Sequence, residues 1–222
     1  MPSKTLSASI VGLDAKIVEV EIDVSHGLRS FSIVGLADKA VEESKERIEA
    51  AIKSAKLLSP QQQTFRILVN LAPADLKKEG SLYDLPIALA FLLASKQTNF
   101  NPEGKLFVGE LALDGSLRKV KGALSFALLA KQQGITELIL PKQNAAEASL
   151  VEGVKSIGVA SLGQALAYLE KRIEIEPAVA VPELLFAQDR EIQMSWIKGQ
   201  EYAKRALEIT AAGGHNLFMF GP

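Results

Sequence analysis

The chain has 222 residues, 48% of them hydrophobic and 23% charged, with a net charge of −1, no cysteine and two histidines. These figures are ordinary for a globular protein. They exclude disulfides and thiolate-bound zinc, argue against a catalytic metal, and leave nucleic-acid binding to a local patch rather than to the molecule as a whole. Residues 1–12 lack the basic start and apolar run of a signal peptide, and no segment reaches the roughly 20 apolar residues of a membrane span. The expected location is the cytoplasm, with no membrane partner.

Residues 7–11 and 15–24 read as strands. In Ile17-Val18-Glu19-Val20-Glu21-Ile22-Asp23-Val24 apolar and acidic side chains alternate, as in a sheet with one wet face. A turn at Ser25-His26-Gly27 leads to a strand over 31–34, ended by Gly35. Asp38 opens a helix through Lys56, with Val41, Ile48, Ala51 and Ile52 as its apolar stripe and Glu42, Glu43, Lys45, Glu46 and Arg47 on its solvated face. After a loop over 59–63 comes the stretch around which the chain is organised. A strand over 66–71 turns at Ala72-Pro73-Ala74-Asp75, crosses the polar loop Lys77-Lys78-Glu79-Gly80-Ser81, and enters a helix over 85–94 that is apolar on every side. Such a helix is buried on most faces, and this one is too short to span a membrane. Asp84 is the expected N-cap, with Pro86 just inside. A polar loop delivered to the N-terminus of a buried helix brings free N–H groups to one place, so this turn is the first candidate for chemistry.

In the second half, a turn over 99–104 precedes a strand over 106–111, and Asp114-Gly115 marks a hairpin before a strand over 117–120. A helix over 123–133 closes at Gly134. A strand over 137–140 stops at Pro141; a short helix over 144–151, a strand over 154–160 and a helix over 162–172 follow. Strands alternating with helices predict α/β layering. Composition shifts at Ile173, where Glu176-Pro177-Ala178-Val179-Ala180-Val181-Pro182 shows no period, and 172–192 reads as a linker. A helix over 200–212 and a strand over 216–220 end the sequence at Gly221-Pro222, which reads as the start of a second, truncated domain.

Arg118, Lys119 and Lys121 cluster around the hairpin, and Lys77 and Lys78 lie on the loop before the core helix. Lysines placed this way neutralise phosphates without reading sequence, and alternation along a strand would aim Lys119 and Lys121 to one side. No interleaved aromatics support base stacking. A strand followed by Gly221-Pro222 is the shape of the first two positions of a phosphate-cradling G-x-x-x-x-G-K-[ST] loop, the lysine and hydroxyl of which would follow Pro222. His26 and His215 read as structural, and Trp196 as a packing anchor.

Several runs taken together resemble one family: Phe31-Ser32-Ile33-Val34-Gly35-Leu36, Val41-Glu42-Glu43-Ser44-Lys45-Glu46-Arg47, Val69-Asn70-Leu71-Ala72-Pro73-Ala74-Asp75, Lys78-Glu79-Gly80 and Asp84-Leu85-Pro86-Ile87. Gly109-Glu110-Leu111-Ala112-Leu113-Asp114-Gly115 and Asn144-Ala145-Ala146-Glu147-Ala148 extend the match. So does the tail from Ile197-Lys198-Gly199-Gln200 to Gly213-Gly214-His215-Asn216. In this order they are similar to the ComM/YifB family of magnesium-chelatase-like AAA+ proteins, with Ala37 standing where a proline is expected. The resemblance implies a Lon-protease-like two-layer α/β domain over 1–171, a linker over 172–192, and the start of a P-loop AAA+ module over 193–222. It implies a homo-hexameric parent that uses ATP and magnesium to remodel DNA, as a branch-migration helicase does during natural transformation. It places Ile197, Gly199 and Gln200 beside adenine, with Gly221 and Pro222 opening the phosphate loop. It also aligns Leu82 with the Lon nucleophile and Leu124 with the Lon lysine. Leucine supplies neither a lone pair nor a base, so no catalytic residue is expected; a shifted dyad of Ser81 with Lys77 or Lys78 is the alternative. The rival functions are a magnesium-chelatase motor subunit and a ring-assembly scaffold without DNA contact.

Overall fold

The structure, a computed structural model, describes residues 2–179 and 194–221. The linker reading over 180–192 and the assignment of Pro222 lie outside the described residues. The chain divides into two compact units, Met1–Pro182 and Glu183–Pro222.

The first unit opens with β1 (Ser3–Val11) and β2 (Asp14–His26), an antiparallel pair turning at Gly12-Leu13. The alternation in β2 works as expected: Val18, Val20 and Ile22 are fully buried and Glu19, Glu21 and Asp23 are not. β3 (Ser30–Val34) follows, then α1 (Lys39–Glu42) and α2 (Ser44–Ser54). The single helix expected here is broken at Glu43. Its start is as expected, because the Asp38 carboxylate accepts from the Val41 N–H at 2.8 Å and caps it. β4 (Phe65–Ala72) pairs antiparallel with β2 and parallel with β3, giving a four-stranded sheet in the order β1-β2-β4-β3. Gly35, at φ +109°, lets the chain leave β3 hard against the Leu71 carbonyl, where a Cβ would clash with that oxygen.

α3 (Asp84–Ala94) is buried over its first nine residues and fills the larger core, packed on β1 and β2. Residues 106–111, expected as one strand, split into β5 (Lys105–Phe107) and β6 (Glu110–Leu111). Between them the Gly109 N–H donates to the Leu82 carbonyl and the Gly109 carbonyl accepts from Leu85, so the break ties this segment to the start of α3. β6 forms a hairpin with β7 (Leu117–Arg118) around Asp114-Gly115. α4 (Ala123–Gln132), β8 (Glu137–Pro141), α5 (Lys142–Ala148), β9 (Lys155–Val159) and α6 (Leu162–Leu169) complete the unit. β5, β8 and β9 make an all-parallel sheet in that order, with its own apolar cluster built on Phe126, Leu138 and Leu140. Mixed helices and strands with a parallel sheet make this an α/β protein.

The stretch expected to begin a linker is instead laid down on this unit as far as Ala178. Ile175 and Ala178 pack against the two apolar clusters, and the Ala178 N–H donates to the Ser156 carbonyl at 2.9 Å. Ile175 and the small Ala178, both half-buried, give it something to bury despite Pro177.

In the second unit, α7 (Glu201–Gly213) follows a left-handed Gly199-Gln200 pair and ends at left-handed Gly214. Residues 216–220, expected as a strand, take no regular secondary structure and have no ladder partner among the described residues. A strand is defined by its pairing, and hydrophobic sequence alone does not supply it. Trp196, expected as a packing anchor, is 65% exposed. The backbone N–H of His215 donates to the Thr210 carbonyl and closes the helix end. Among the described residues no helix is long and apolar enough to cross a membrane.

Candidate functional site

The loop from β4 to α3 is fastened to the loop after β3. The Lys78 N–H donates to the Leu36 carbonyl at 3.1 Å, the Asp38 N–H to the Lys78 carbonyl at 3.0 Å, and the Gly80 N–H to Asp38 Oδ2 at 3.2 Å. This short backbone ladder turns the Lys78 side chain inward. Lys78 is fully buried, its Nζ donates to the Pro73 carbonyl, and burial pulls its pKa down against the pull of nearby Asp75. The expectation that Lys78 meets phosphates is therefore corrected: its ammonium holds a loop and does not reach solvent. Lys77, next to it, does point outward, with Nζ 2.6 Å from the Glu79 carboxylate.

Asp84 does not cap α3. It is the first residue of the helix, and Tyr83 occupies the cap position. Its carboxylate accepts from Arg47 Nε at 2.7 Å and Nη2 at 3.0 Å, and from the Leu111 N–H at 3.1 Å, joining α2, α3 and β6 at a fully buried point. Burial pushes the Asp84 carboxyl up to about 6, although Arg47 pulls the other way. The Arg47 guanidinium is held above its usual range by the hydrogen bond to Asp84.

In front of α3 lies a cleft of about 820 Å³, lined on one side by Asp38, Ser81, Leu82 and Glu110 and on the other by Lys119 and Lys121. Leu82 lies at the position aligned with a nucleophile. Leu124, on α4, is 38% exposed at the position aligned with a lysine. Ser81 does not form the alternative dyad: its Oγ donates to Glu110, Lys77 is held by Glu79, and Lys78 is buried toward Pro73. Glu110 in turn accepts from Arg118 Nη1 at 3.2 Å.

The opposite wall is a basic ridge, Arg118 to Lys121, and what holds it was not visible in the sequence. Asn144, fully buried on α5, accepts from the Val120 N–H with its Oδ1 at 2.9 Å and donates from its Nδ2 to the Val120 carbonyl at 2.8 Å. The carboxamide thus stands in for a neighbouring strand. The strand expected over 117–120 ends at Arg118, so Lys119 and Lys121 are exposed on either side of inward-turned Val120 without strand alternation, and neither forms an ion pair among the described residues. Arg118 is 64% exposed and shares Glu110 with Ser81. Gly122, at φ +86°, carries the ridge under Ile10, whose side chain occupies the space a Cβ would need.

The residues expected beside a nucleotide lie in the second unit. Ile197 is 42% exposed, and Gly199 and Gln200 both adopt left-handed backbone at φ +71° and +59°. Gly221 is exposed and Pro222 lies outside the described residues.

Comparison with known proteins places this α/β chain in the magnesium-chelatase-like class. A family model described as "Subunit ChlI of Mg-chelatase" matches residues 20–144, and one described as "Magnesium chelatase, subunit ChlI" matches residues 193–222. The chain is 40% identical over 219 residues to competence protein ComM of Haemophilus influenzae, covering 97% of this chain and 42% of that protein. It is 41% identical over 214 residues to the uncharacterized protein YifB of Escherichia coli, covering 96% and 41%. It is 36% identical over 220 residues to an uncharacterized protein of Mycobacterium bovis, covering 99% and 43%. The chain belongs to the ComM/YifB family of magnesium-chelatase-like proteins, and it spans about two fifths of the length of the curated relatives it matches.

Proposed function

We propose that this chain is the front part of an ATP-driven DNA-remodelling protein of the branch-migration kind, and that its first unit is an accessory that engages DNA. The observation that carries the reading is the ridge: Lys119 and Lys121, exposed on a clamped backbone beside the cleft that Leu82 lines. The similarity to a competence protein supports DNA as the substrate, and the family supports ATP and magnesium as the fuel of the longer protein. Within this chain the ATP-side contribution would come from Ile197, Gly199 and Gln200. With few phosphates neutralised, the lone chain binds non-specifically, with a Kd on the order of 10⁻⁴ to 10⁻⁶ M. Six copies in a homo-hexamer would raise the apparent affinity through effective concentration. Fluorescence anisotropy with single-stranded and duplex DNA over a salt series tests this. Binding should weaken with salt and be lost in the Lys119→Glu/Lys121→Glu variant; salt-independent binding, or a variant equal to wild type, removes the ridge from the mechanism.

A scaffold role is favoured by one separate feature. Ile10, Leu13 and Leu128 lie exposed around the β1–β2 turn and the outer face of α4, with Leu13 92% exposed and its carbonyl held by the Ser125 hydroxyl at 2.8 Å. Sedimentation of the wild type against Leu13→Ser/Leu128→Ser tests it: concentration-dependent association lost in the variant supports self-assembly through this face.

A further inference from the structure

On the far side of the ridge from the cleft, between the β6–β7 hairpin and the start of α5, is a second cavity of about 680 Å³. Arg118, Lys119 and Lys142 line it, together with Ser116 and Gln143, and no carboxylate does. All three cations are exposed, and of the three only Arg118 has an acidic partner among the described residues, Glu110.

Their frame is rigid. The Leu117 N–H donates to the Ala160 carbonyl at 2.8 Å and ties the hairpin to the end of β9. Asn144 clamps Val120 from α5, two residues after Lys142 on the same helix. Gly158 on β9 lets α5 approach so closely that a Cβ there would press on the Lys142 Cα and the Ala145 methyl. Three like charges on independently mobile side chains would spread apart in solvent. Here their backbones are fastened around one hollow, so Lys119 and Lys142, with Arg118 beside them, are anchored where one anion can meet them together. A volume of this size admits more than one phosphate group, and two of the cations are lysines, which act as point charges without base readout.

We propose that this cavity is a phosphate seat, formed by Arg118, Lys119 and Lys142, that takes consecutive phosphates of a nucleic-acid backbone or an oligophosphate of the same chemistry. Lys142 is the residue it adds to the ridge. For the natural ligand it rests on the DNA reading above; for the phosphate chemistry it does not.

The test is calorimetry and anisotropy on the 222-residue chain with two probes, inorganic tripolyphosphate and a single-stranded thymidine oligonucleotide, for wild type, Lys142→Gln, Lys142→Arg and Lys119→Glu/Lys121→Glu. Lys142→Gln should weaken both probes by roughly tenfold, the size expected of a lost charge-assisted contact, and lower the salt slope for the oligonucleotide by about 1. Lys142→Arg should restore binding, which a merely structural role would not predict. Tripolyphosphate binding that depends on Lys142, without oligonucleotide binding, would keep the phosphate seat and overturn the DNA reading. Oligonucleotide binding that depends on Lys119 and Lys121 but ignores Lys142→Gln would overturn the seat and keep the DNA reading. Absence of binding by either probe would overturn both.

Discussion

On the α3 side of the cleft, charges answer one another. Asp84 holds Arg47, Glu79 holds Lys77, Glu110 takes up both Ser81 and Arg118, and the Lys78 ammonium is spent on a carbonyl. On the α5 side, a neutral carboxamide does the holding, and Lys119, Lys121 and Lys142 are left facing solvent. The difference teaches how one polar cleft can contain both a framework and a surface for an anion. Where ions fix the backbone, their charge is cancelled locally; where an amide fixes it, the neighbouring cations keep theirs.

The comparison breaks most sharply at Arg47. Arg47→Ala strands the Asp84 carboxylate in the core, and removing one partner of a buried pair costs about 3–5 kcal/mol; urea unfolding at neutral pH should show a loss of this size. The same pair gives a pH signature. The folded-state pKa of Asp84 is raised to about 6 from an ordinary 3.8, so the folded state holds the proton more tightly than the unfolded chain. The resulting stabilisation is present below about pH 4 and is lost as pH rises toward 6. Relative to Asp84→Asn, the wild type should lose about 3 kcal/mol across that window, read by urea unfolding at half-unit intervals; a difference between the two proteins that does not change with pH would mean that Asp84 is ionised throughout.

On the other wall, Asn144→Ala leaves the Val120 N–H and carbonyl without partners and should cost about 2 kcal/mol. It should also weaken DNA binding, because the ridge loses its shape. By contrast, Lys119→Glu/Lys121→Glu should abolish binding without moving the urea midpoint. The smallest effect belongs to Lys77→Gln, which removes an exposed lysine already paired with Glu79: less than about a twofold change in affinity, within what surface ion pairs contribute.

The period of the apolar residues was enough to read the β2 alternation, the wholly buried α3 and the alternating helices and strands of the second half. Single residues defined by distant partners were not legible. Lys78 looks like its neighbour Lys77, and only the pairing of its backbone with Leu36 and Asp38 turns one inward and leaves the other out. Asp84 has the composition of a cap, but Arg47, 37 positions earlier, claims its carboxylate. Residues 106–111 have an unbroken strand composition apart from Gly109, whose bonds to Leu82 and Leu85 divide them. Of the candidate contacts, Lys119 and Lys121 were picked out by their charge, although the strand meant to aim them ends at Arg118, whereas Asn144 and Lys142 required knowing that α5 packs behind the ridge.

The run from Ile173 to Ala178 has a practical consequence for anyone dissecting this protein. β9 is the last strand of the parallel sheet, paired on one side with β8, and its Ser156 carbonyl is met from the other side by Ala178. A fragment ended at Arg172 would strip that cover and leave a strand edge open to pairing with another copy, a known route to aggregation. A fragment carried through Val179 should stay monodisperse where the shorter one precipitates, which light scattering on the two would show directly.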